Sequence, residues 1–353
     1  MFASGADLQS INPLLTVHPL ARQAQRYLLL TTLVRYDSAL VITPYLARSM
    51  DWSPGNRELT FHLCTAVRWH DGQPTTSRDV KYTLDTARDP ATGYPRRSDL
   101  DEVDSIAVLD DSTVVIRFNT PQAAIPDVLT DLAILPAHLL DTVPSSGLRS
   151  AYWNEHPVGN GPFRFVAHEP NRRWVFAANP DFPAELGGPP ALQRFVIAVV
   201  DEPTTKLAAL ASGELDFAGI NPAHAEFVRN NPRLEVVSYP LLLTYGIVFN
   251  ARVAPFNDIA IRRAISRALD RPEIVNGFLY GFGTEAYGPV PPGIPGAVSI
   301  PHDAIAPDRP RELASRKLEF ELLTVGSGEA ALEQMIQSQL GRAGIKVTIR
   351  QLE

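Results

Sequence analysis

The stretch LTFHLCTAVRWHDGQPTTSRDV, residues 59–80, indicates the kind of fold that the chain adopts. Apolar and polar residues alternate over its first five positions, which predicts a strand with one buried face. The tetrapeptide WHDG (residues 69–72) predicts the end of a strand followed by a turn. Thr76 and Asp79 then form a capping-box pattern, and the apolar period after them predicts a helix over residues 76–87. A strand, a turn and a helix in succession indicate an α/β protein.

The same two periods recur along the chain and are separated by many loop signals. The 31 prolines and 22 glycines divide the sequence into short elements. Alternation predicts further strands over residues 114–118, 163–166, 174–176 and 196–200. Helical periodicity predicts helices over residues 203–211 and 258–269. Proline-rich stretches predict loops at residues 187–190 and 289–310.

The last part of the sequence predicts a β-α-β unit. Alternation over residues 318–322 is followed by helical periodicity over residues 332–343, by Gly344 and by renewed alternation over residues 345–349. A parallel pair of strands needs flanking strands to complete a buried sheet. The sequence stops soon after this unit, so we expect it to end within a domain.

Composition argues against several classes of protein. Hydrophobic residues make up 45% and charged residues 20% of the 353 residues, as in soluble globular proteins of about two to three domains. The net charge of −7 and the scattered arginines argue against nucleic acid as a partner. The apolar runs at residues 28–33 and 241–243 have the length of core strands or helices, not of membrane spans. Cys64 is the single cysteine and cannot form an internal disulfide.

No catalytic or metal-binding motif stands out. The sequence has no nucleophile elbow, P-loop, HExxH motif or paired CxxC motif. None of the eight histidines lies three or four residues from another, so no helical metal site is predicted. His70 is predicted to have a surface or capping role, and the glycine pairs at positions 159/161 and 326/328 are predicted to form tight turns. The sequence therefore predicts no catalytic residue, metal site or cofactor.

Five aromatic residues remain open between a pocket and the core. These are Trp153, Trp174, Tyr239, Tyr245 and Phe249. Burial in a core is the commoner fate of a single aromatic side chain, and a ligand pocket is the alternative.

Several blocks, taken in order, point to a known family. The first blocks are TLVRYD (32–37), PYLA (44–47), LTFHL (59–63), VRWHDG (67–72) and DV (79–80). Later blocks are PVGNGPF (157–163), NPDF (179–182), LASGELD (210–216), FN to ALDR (249–271) and GIKV (344–347). Together they closely resemble the family 5 extracellular solute-binding proteins, the oligopeptide-, dipeptide- and nickel-binding receptors of ABC importers.

The resemblance implies an α/β fold like that of type II periplasmic binding proteins, with two lobes and an inserted small α/β domain. Residues 1–43 and 158–248 would form the first lobe, residues 44–157 the inserted domain, and residues 249–353 an incomplete second lobe. In this family a ligand lies between the lobes, and binding closes them. Members of the family continue past the GIKV block, and much of the ligand anchoring lies in that later part.

The resemblance also implies a set of ligand-binding residues. Those carried over are Ser4, Gly5, Ala6, Gly219, Ile220, Asn221, Thr244 and Tyr245, with Tyr94 of the inserted domain as a weaker candidate. Small residues before position 12 would let the backbone approach a peptide closely. For each residue, ordinary loop or core structure is the alternative to ligand contact.

The resemblance implies a substrate-binding receptor for peptide transport, with a short peptide or similar solute as ligand and a membrane permease as partner. A periplasmic or cell-surface location follows from the family alone, because no basic region followed by an apolar one marks an export signal at the N-terminus. The chain is expected to be a monomer and not an enzyme. The alternatives are a truncated fragment that binds nothing and, with less support, a hydrolase.

Overall fold

Strands and helices alternate along the chain in the computed structural model, which describes residues 1–286, 288–291, 294, 296–298, 318–325 and 330–352. The strands are β1 (Phe2–Ser4), β2 (Val34–Tyr36), β3 (Ile42–Pro44), β4 (Ala47–Trp52), β5 (Glu58–Leu63), β6 (Val103–Asp110), β7 (Thr113–Phe118), β8 (Phe163–Glu169), β9 (Arg173–Ala178), β10 (Arg194–Val199), β11 (Phe217–Ala218), β12 (Glu319–Val325) and β13 (Lys346–Leu352). The α-helices are α1 (Pro19–Ala24), α2 (Ser77–Arg88), α3 (Val128–Asp131), α4 (Ala137–Leu140), α5 (Pro203–Ser212), α6 (Ala225–Arg229), α7 (Ile259–Ala268), α8 (Arg271–Gly277) and α9 (Ala331–Arg342).

Shorter helical turns fill several of the connections. A π-helical turn, Gln25–Leu29, follows α1. The 3-10 turns are Pro90–Thr92, Arg97–Leu100, Ser145–Ser150, Tyr152–Asn154, Ala184–Leu186 and Pro222–His224.

The chain divides into two compact units, residues 1–219 and 220–353. Residues 220–248, which the resemblance assigns to the first lobe, fall in the second unit. The predicted turn at residues 326–328 and the whole of the predicted proline-rich stretch after residue 298 lie outside the described residues.

A four-stranded antiparallel sheet contains the strand predicted at the start of residues 59–80. Its order is β4-β5-β7-β6, and the apolar positions of β5 are buried, as the alternation predicts. The predicted capping box is confirmed, with Thr76 at the N-cap of α2 and Asp79 at its third position. Asp79 is 4% exposed and also accepts hydrogen bonds from the Trp69 indole at 3.3 Å and the Ala137 N–H at 2.9 Å. One carboxylate therefore caps the helix and fixes the next loop.

A five-stranded mixed sheet is the second main element of the first unit. Its order is β11-β1-β10-β9-β8, in which β1 lies between β10 and β11 and runs parallel to both. Strands β8, β9 and β10 are antiparallel neighbours. The short strand β1 is thus an internal strand of this sheet.

Gly159 and Gly161 allow two backbone segments to approach closely, whereas the sequence predicted that they form a tight turn. Neither residue has a positive φ, and residues 157–162 form no hydrogen-bonded turn, so the tight-turn prediction is wrong. A Cβ on Gly159 would lie 1.9 Å from the Leu29 carbonyl oxygen, and one on Gly161 would lie 2.6 Å from the Leu28 carbonyl oxygen. The Gly161 N–H donates to the Leu29 carbonyl at 2.9 Å. Glycine is required here because two backbones touch.

His70 forms three hydrogen bonds with the backbone of this loop. Its backbone N–H donates to the Gly159 carbonyl at 2.7 Å, and its Nδ1 accepts from the Gly159 N–H at 3.2 Å. Its Nε2 lies 3.0 Å from the Gly161 carbonyl oxygen. These contacts fix the neutral tautomer with the proton on Nε2. Burial lowers the pKa of His70 to about 4. The surface or capping role predicted for His70 is wrong: its largely buried side chain bonds the backbone of the loop at residues 159–161 and caps no helix.

The second unit contains the predicted β-α-β unit. Strands β12 and β13 pair in parallel and are connected through α9. The core of the second unit includes Ile265 of α7, Leu340 of α9 and Ile345, the residue before β13. The predicted helix over residues 258–269 is also confirmed as α7, with Asp258 at its N-cap.

The apolar run at residues 241–243 is not a core element, contrary to the prediction. Leu241, Leu242 and Leu243 are 66%, 45% and 62% exposed, and residues 235–250 form no regular secondary structure. The run has the hydrophobicity of a core strand but pairs with no strand among the described residues, so its side chains remain exposed.

Candidate ligand-binding site

The carboxyl ends of three parallel strands meet at one edge of the mixed sheet. Ala3 of β1 is paired with Ala198 of β10 on one side and with Ala218 of β11 on the other. Ser4 is aligned with Val199. In open α/β sheets, ligands bind outside the carboxyl ends of the strands. This edge is therefore the candidate ligand-binding site of the first unit.

The loop after β1 exposes its backbone at this edge. Ser4 is only 5% exposed, and its hydroxyl forms hydrogen bonds with the backbone of Ala6. Gly5 and Ala6 are exposed. The Ser4 side chain therefore fixes the conformation of the loop, and Gly5 and Ala6 are exposed to solvent.

Two side chains of opposite charge lie next to Gly5. A Cβ built on Gly5 would lie 3.7 Å from a carboxylate oxygen of Asp201 and 3.7 Å from the Lys206 ammonium nitrogen. Among the described residues, neither side chain forms an ion pair. An exposed backbone segment with an anionic and a cationic group beside it can contact a polar ligand of either charge or of both.

The β10–α5 connection places these two charges. Asp201 follows the end of β10, and Lys206 lies on the first turn of α5. Glu202 is the N-cap of α5 and accepts a hydrogen bond from the Thr205 N–H. Hydrogen bonds from the Thr204 hydroxyl and from the backbone of the same turn lower the pKa of Glu202 to about 2. The start of α5 is therefore fixed by its own cap, and Asp201 remains available.

Asp7 ties the exposed loop to the β8–β9 hairpin. One carboxylate oxygen accepts from the Trp174 indole at 2.6 Å and from the Leu8 N–H at 2.8 Å. The other accepts from the Asn171 N–H at 2.8 Å and lies 3.3 Å from Nε2 of His168. Burial by itself raises the pKa of this carboxyl, but these hydrogen bonds outweigh burial and lower it below its usual range. The loop is therefore held by an ionised carboxylate.

Replacing Asp7 with alanine is expected to lower the free energy of unfolding of the first unit by about 2 kcal/mol, because a buried indole N–H and two backbone N–H groups lose their acceptor. Urea unfolding followed by tryptophan fluorescence measures the change. The exposed carboxylate Asp51 provides the control, and Asp51→Ala is expected to change stability by less than about 0.5 kcal/mol. Equal effects of the two substitutions would mean that Asp7 does not anchor the loop.

The other predicted site residues lie in several places. Gly219 is exposed and directly follows β11, at the same sheet edge as Ser4. Ile220 and Asn221 begin the second unit, where the Asn221 side chain caps a 3-10 turn by accepting from the Ala223 N–H at 2.9 Å. These three residues follow one another along the chain, but Gly219 alone belongs to the unit that carries the sheet edge.

Thr244 and Tyr245 belong to the second unit, within the segment that has no regular secondary structure. Tyr245 is 62% exposed, and its ring meets the Phe278 ring edge-on at 6.3 Å. Tyr94 is 6% exposed in the core of the first unit, where burial raises the pKa of its phenol. Ligand contact by Thr244, Tyr245 and Tyr94 remains a prediction.

The five aromatic residues that the sequence could assign to either a pocket or the core differ in burial in the structure. Trp153 and Trp174 are 4% and 3% exposed and belong to the core of the first unit. Tyr239 and Tyr245 are largely exposed. Phe249 packs partly buried against the core of the second unit.

Reasoning from the sequence missed Asp7, Asp201 and Lys206. A signal for the last two was present, since a predicted strand ending near residue 200 is followed by Asp-Glu-Pro and a predicted helix. No comparable signal marks Asp7, because its partners Asn171 and Trp174 are more than 160 residues away in the chain.

The fold is that of the type II periplasmic binding proteins. The oligopeptide-binding protein AppA from Bacillus subtilis, solved in complex with a nonapeptide, matches with a TM-score of 0.83 and 24% identity over 100% of this chain and 74% of AppA. NikA from Brucella suis, solved in complex with Fe(III)-EDTA, matches with a TM-score of 0.83 and 21% identity over 74% of its chain. At these identities the likeness describes the fold alone.

The chain belongs to the bacterial extracellular solute-binding proteins, family 5, whose profile matches residues 41–353. A Brucella ovis protein named as an ABC transporter peptide-binding protein is 33% identical over 251 residues, which are 70% of this chain and 47% of that protein. The glutathione-binding protein GsiB of Pectobacterium atrosepticum is 28% identical over 330 residues, 90% of this chain and 62% of GsiB. The family predicted from sequence is confirmed, and the chain spans about half the length of the Brucella relative.

The described residues contain neither a candidate membrane span nor a candidate metal site. No helix there is both long enough and apolar enough to cross a membrane. No group of three or more His, Cys, Asp or Glu side chains in that part of the chain is arranged to hold a metal ion.

Proposed function

We propose that this chain is the substrate-binding component of an ABC importer and that its ligand is a short peptide or a similarly sized solute. The observation that carries the proposal is the exposed Gly5-Ala6 backbone at the carboxyl ends of three parallel strands, with Asp201 and Lys206 beside it. The relatives named above are binding proteins, which favours a receptor over the hydrolase alternative. A membrane permease would be its partner, and the family description supports a location outside the cytoplasm.

The charges at the sheet edge suit a zwitterionic ligand. A peptide carries an ammonium group at one end and a carboxylate at the other, and charge-assisted hydrogen bonds to such groups are stronger than neutral ones. Asp201 can accept from an ammonium group, and Lys206 can donate to a carboxylate or to a peptide carbonyl. The exposed backbone between them matches the main-chain recognition that extended peptides use.

The division into lobes is part of this proposal. The five-stranded sheet draws β1 from residues 1–43 and its other strands from residues 163–218, which supports assigning residues 1–43 and 158–219 to one lobe. The four-stranded sheet lies within residues 44–157, as expected for an inserted domain. Residues 249–353 would contribute to the second lobe.

Removing either charge beside Gly5 is expected to weaken peptide binding. Asp201→Asn and Lys206→Met should each raise the Kd about tenfold, the usual effect of losing one charge-assisted hydrogen bond. Isothermal titration of the full chain with pools of di- to pentapeptides measures the change. Lys346→Met is the matched control, because Lys346 is exposed on β13 and pairs only with Glu319 among the described residues.

Two results would count against the proposal. Unchanged affinity in both Asp201→Asn and Lys206→Met would remove these charges from the binding site. Failure of the unaltered chain to bind any peptide pool, with a cooperative unfolding transition still present, would contradict peptide binding by this chain.

A further inference from the structure

A small surface pocket lies in the first unit, and none of its residues belongs to the sheet edge described above. The π-helical turn after α1 contributes Arg26 and Tyr27, β2 contributes Arg35, and Tyr45 follows β3. The remaining lining residues carry hydroxyl groups, so the wall is made of guanidinium, phenol and hydroxyl groups, with no lining carboxylate.

Positive charge exceeds negative charge around this pocket. Arg22, Arg26 and Arg96 all form ion pairs with the single carboxylate of Asp131, which is 17% exposed. Arg96 shares a second carboxylate, Asp99. Burial, with repulsion from Arg26 and Arg96, lowers the pKa of Arg22. Arg22, Arg26 and Arg96 therefore carry three positive charges, and the carboxylates that they contact carry only two negative charges.

Asp127 contacts the pocket wall through Tyr36 and is already engaged there. Its carboxylate accepts a hydrogen bond from the Tyr36 hydroxyl at 2.5 Å. This hydrogen bond raises the pKa of Tyr36 to about 12. Even with Asp127 included, the arginines at 22, 26, 35 and 96 outnumber the carboxylates at 99, 127 and 131.

Several donors of the pocket have no partner among the described residues. The Nε of Arg26 is buried and forms no hydrogen bond there. The Arg35 guanidinium lies over the Tyr45 ring, 4.5 Å from its centroid, and makes no ion pair within the described part of the chain. Stacking on an aromatic face holds a guanidinium in one plane and leaves its edge free to donate. An arginine fixed in this way is prepared to bind an oxyanion.

We propose that this pocket binds a phosphoryl oxyanion through Arg26, Arg35 and the hydroxyl of Tyr45. Guanidinium groups match such an anion because their N–H groups can donate to two of its oxygens at once. The Tyr45 phenol can donate to a further oxygen. The hydroxyls of Thr32 and Thr130 already donate to the carbonyls of Val34 and Asp127, at 2.8 and 2.7 Å. The phosphoryl group is either a free anion or the headgroup of a phospholipid, and both present the same oxygens to the pocket.

Isothermal titration of the full chain with inorganic phosphate tests the proposal at constant pH and ionic strength. Arg35→Gln is expected to weaken binding about tenfold, and Tyr45→Phe about threefold because the ring that supports Arg35 stays in place. Arg78→Gln is the matched control, because Arg78 is an exposed arginine on α2 outside the pocket, and its affinity should equal that of the unaltered chain. Co-sedimentation with phosphatidylglycerol vesicles separates the two sources of the phosphoryl group.

Each outcome decides the question. Phosphate binding that Arg35→Gln weakens, without binding to vesicles, supports a free anion. Vesicle binding that Arg35→Gln removes and that inorganic phosphate competes away supports a lipid headgroup. The proposal is overturned if the unaltered chain binds neither probe, or if Arg78→Gln weakens binding as much as Arg35→Gln does. Peptide binding at the sheet edge is unaffected by any of these results.

Discussion

Replacing Gly159 with alanine is expected to lower the free energy of unfolding of the first unit by about 3 kcal/mol or more. The new Cβ would lie 1.9 Å from the Leu29 carbonyl oxygen, and the atom in its way is backbone, which cannot move aside by changing rotamer. Relief requires the π-helical turn to shift, and the hydrogen bond from the Gly161 N–H to the Leu29 carbonyl oxygen would be lost with it. For a unit of this size, the loss corresponds to a fall in Tm of roughly 6–12 °C.

Tryptophan fluorescence during thermal unfolding measures this effect selectively. All four tryptophans of the chain, at positions 52, 69, 153 and 174, lie in the first unit. Gly147→Ala is the control, because a Cβ there would lie 3.4 Å from the Pro144 ring, an ordinary van der Waals contact. We expect its Tm to stay within about 2 °C of the unaltered protein. A Gly159→Ala protein that unfolds at the same temperature as the control would show that the two backbones do not touch.

Acidification is expected to destabilise the first unit through His70. The pKa of this imidazole is about 4 in the folded chain, against an ordinary value of 6.5. As the pH falls, the unfolded chain therefore takes up the proton first, so the stability that the neutral imidazole provides is complete above pH 6.5 and is lost progressively towards pH 4. A difference of this size corresponds to about 3 kcal/mol. Protonation would place a second proton on Nδ1, which now accepts from the Gly159 N–H.

Urea unfolding at a series of pH values, compared with His70→Gln, isolates this contribution. The variant cannot titrate there, so its stability should be lower at neutral pH and nearly constant between pH 6.5 and 4.5. Asp7 and Glu202 have a lowered pKa in the folded chain. Their contribution to stability is therefore lost mainly when the pH falls below their ordinary pKa values of 3.8 and 4.5. Parallel curves for the two proteins across this window would rule out His70 as the titrating group.

Much of the fold follows from local patterns in the sequence. The strands at 58–63, 113–118, 163–169 and 194–199 and the helices at 77–88 and 203–212 were all predicted within a few residues of their observed limits. These elements have clear alternation, a capping box or a terminal glycine such as Gly213, whose φ is +85°. Local signals sufficed because each element buries one regular face.

Other elements depend on contacts that local patterns do not contain. Strand β1 has three residues and exists because β10 and β11 flank it, almost 200 residues later. The role of Gly159 depends on its approach to Leu29, and that of Asp7 on the β8–β9 hairpin. The run at residues 241–243 shows the opposite case, in which local hydrophobicity predicted burial that the described structure does not provide.

The same reasoning applies to the candidate site. The family resemblance predicted Ser4, Gly5, Ala6 and Gly219 as ligand-binding residues. The parallel pairing of β1 with β11 brings the two segments that contain them to one sheet edge. The charged neighbours Asp201 and Lys206 required the structure, because their proximity to Gly5 comes from the β10–α5 connection.

The position of β1 between β10 and β11 also sets the order in which the first unit can be assembled during synthesis. Phe2 is made almost 200 residues before its partners Ile197 and Phe217. At a translation rate of roughly 5–20 residues per second, the strand waits on the order of 10–40 s for the first of them. The four-stranded sheet within residues 47–118 needs no such delay. The sheet edge that carries the candidate site can therefore form only after residues 197–218 have been synthesised.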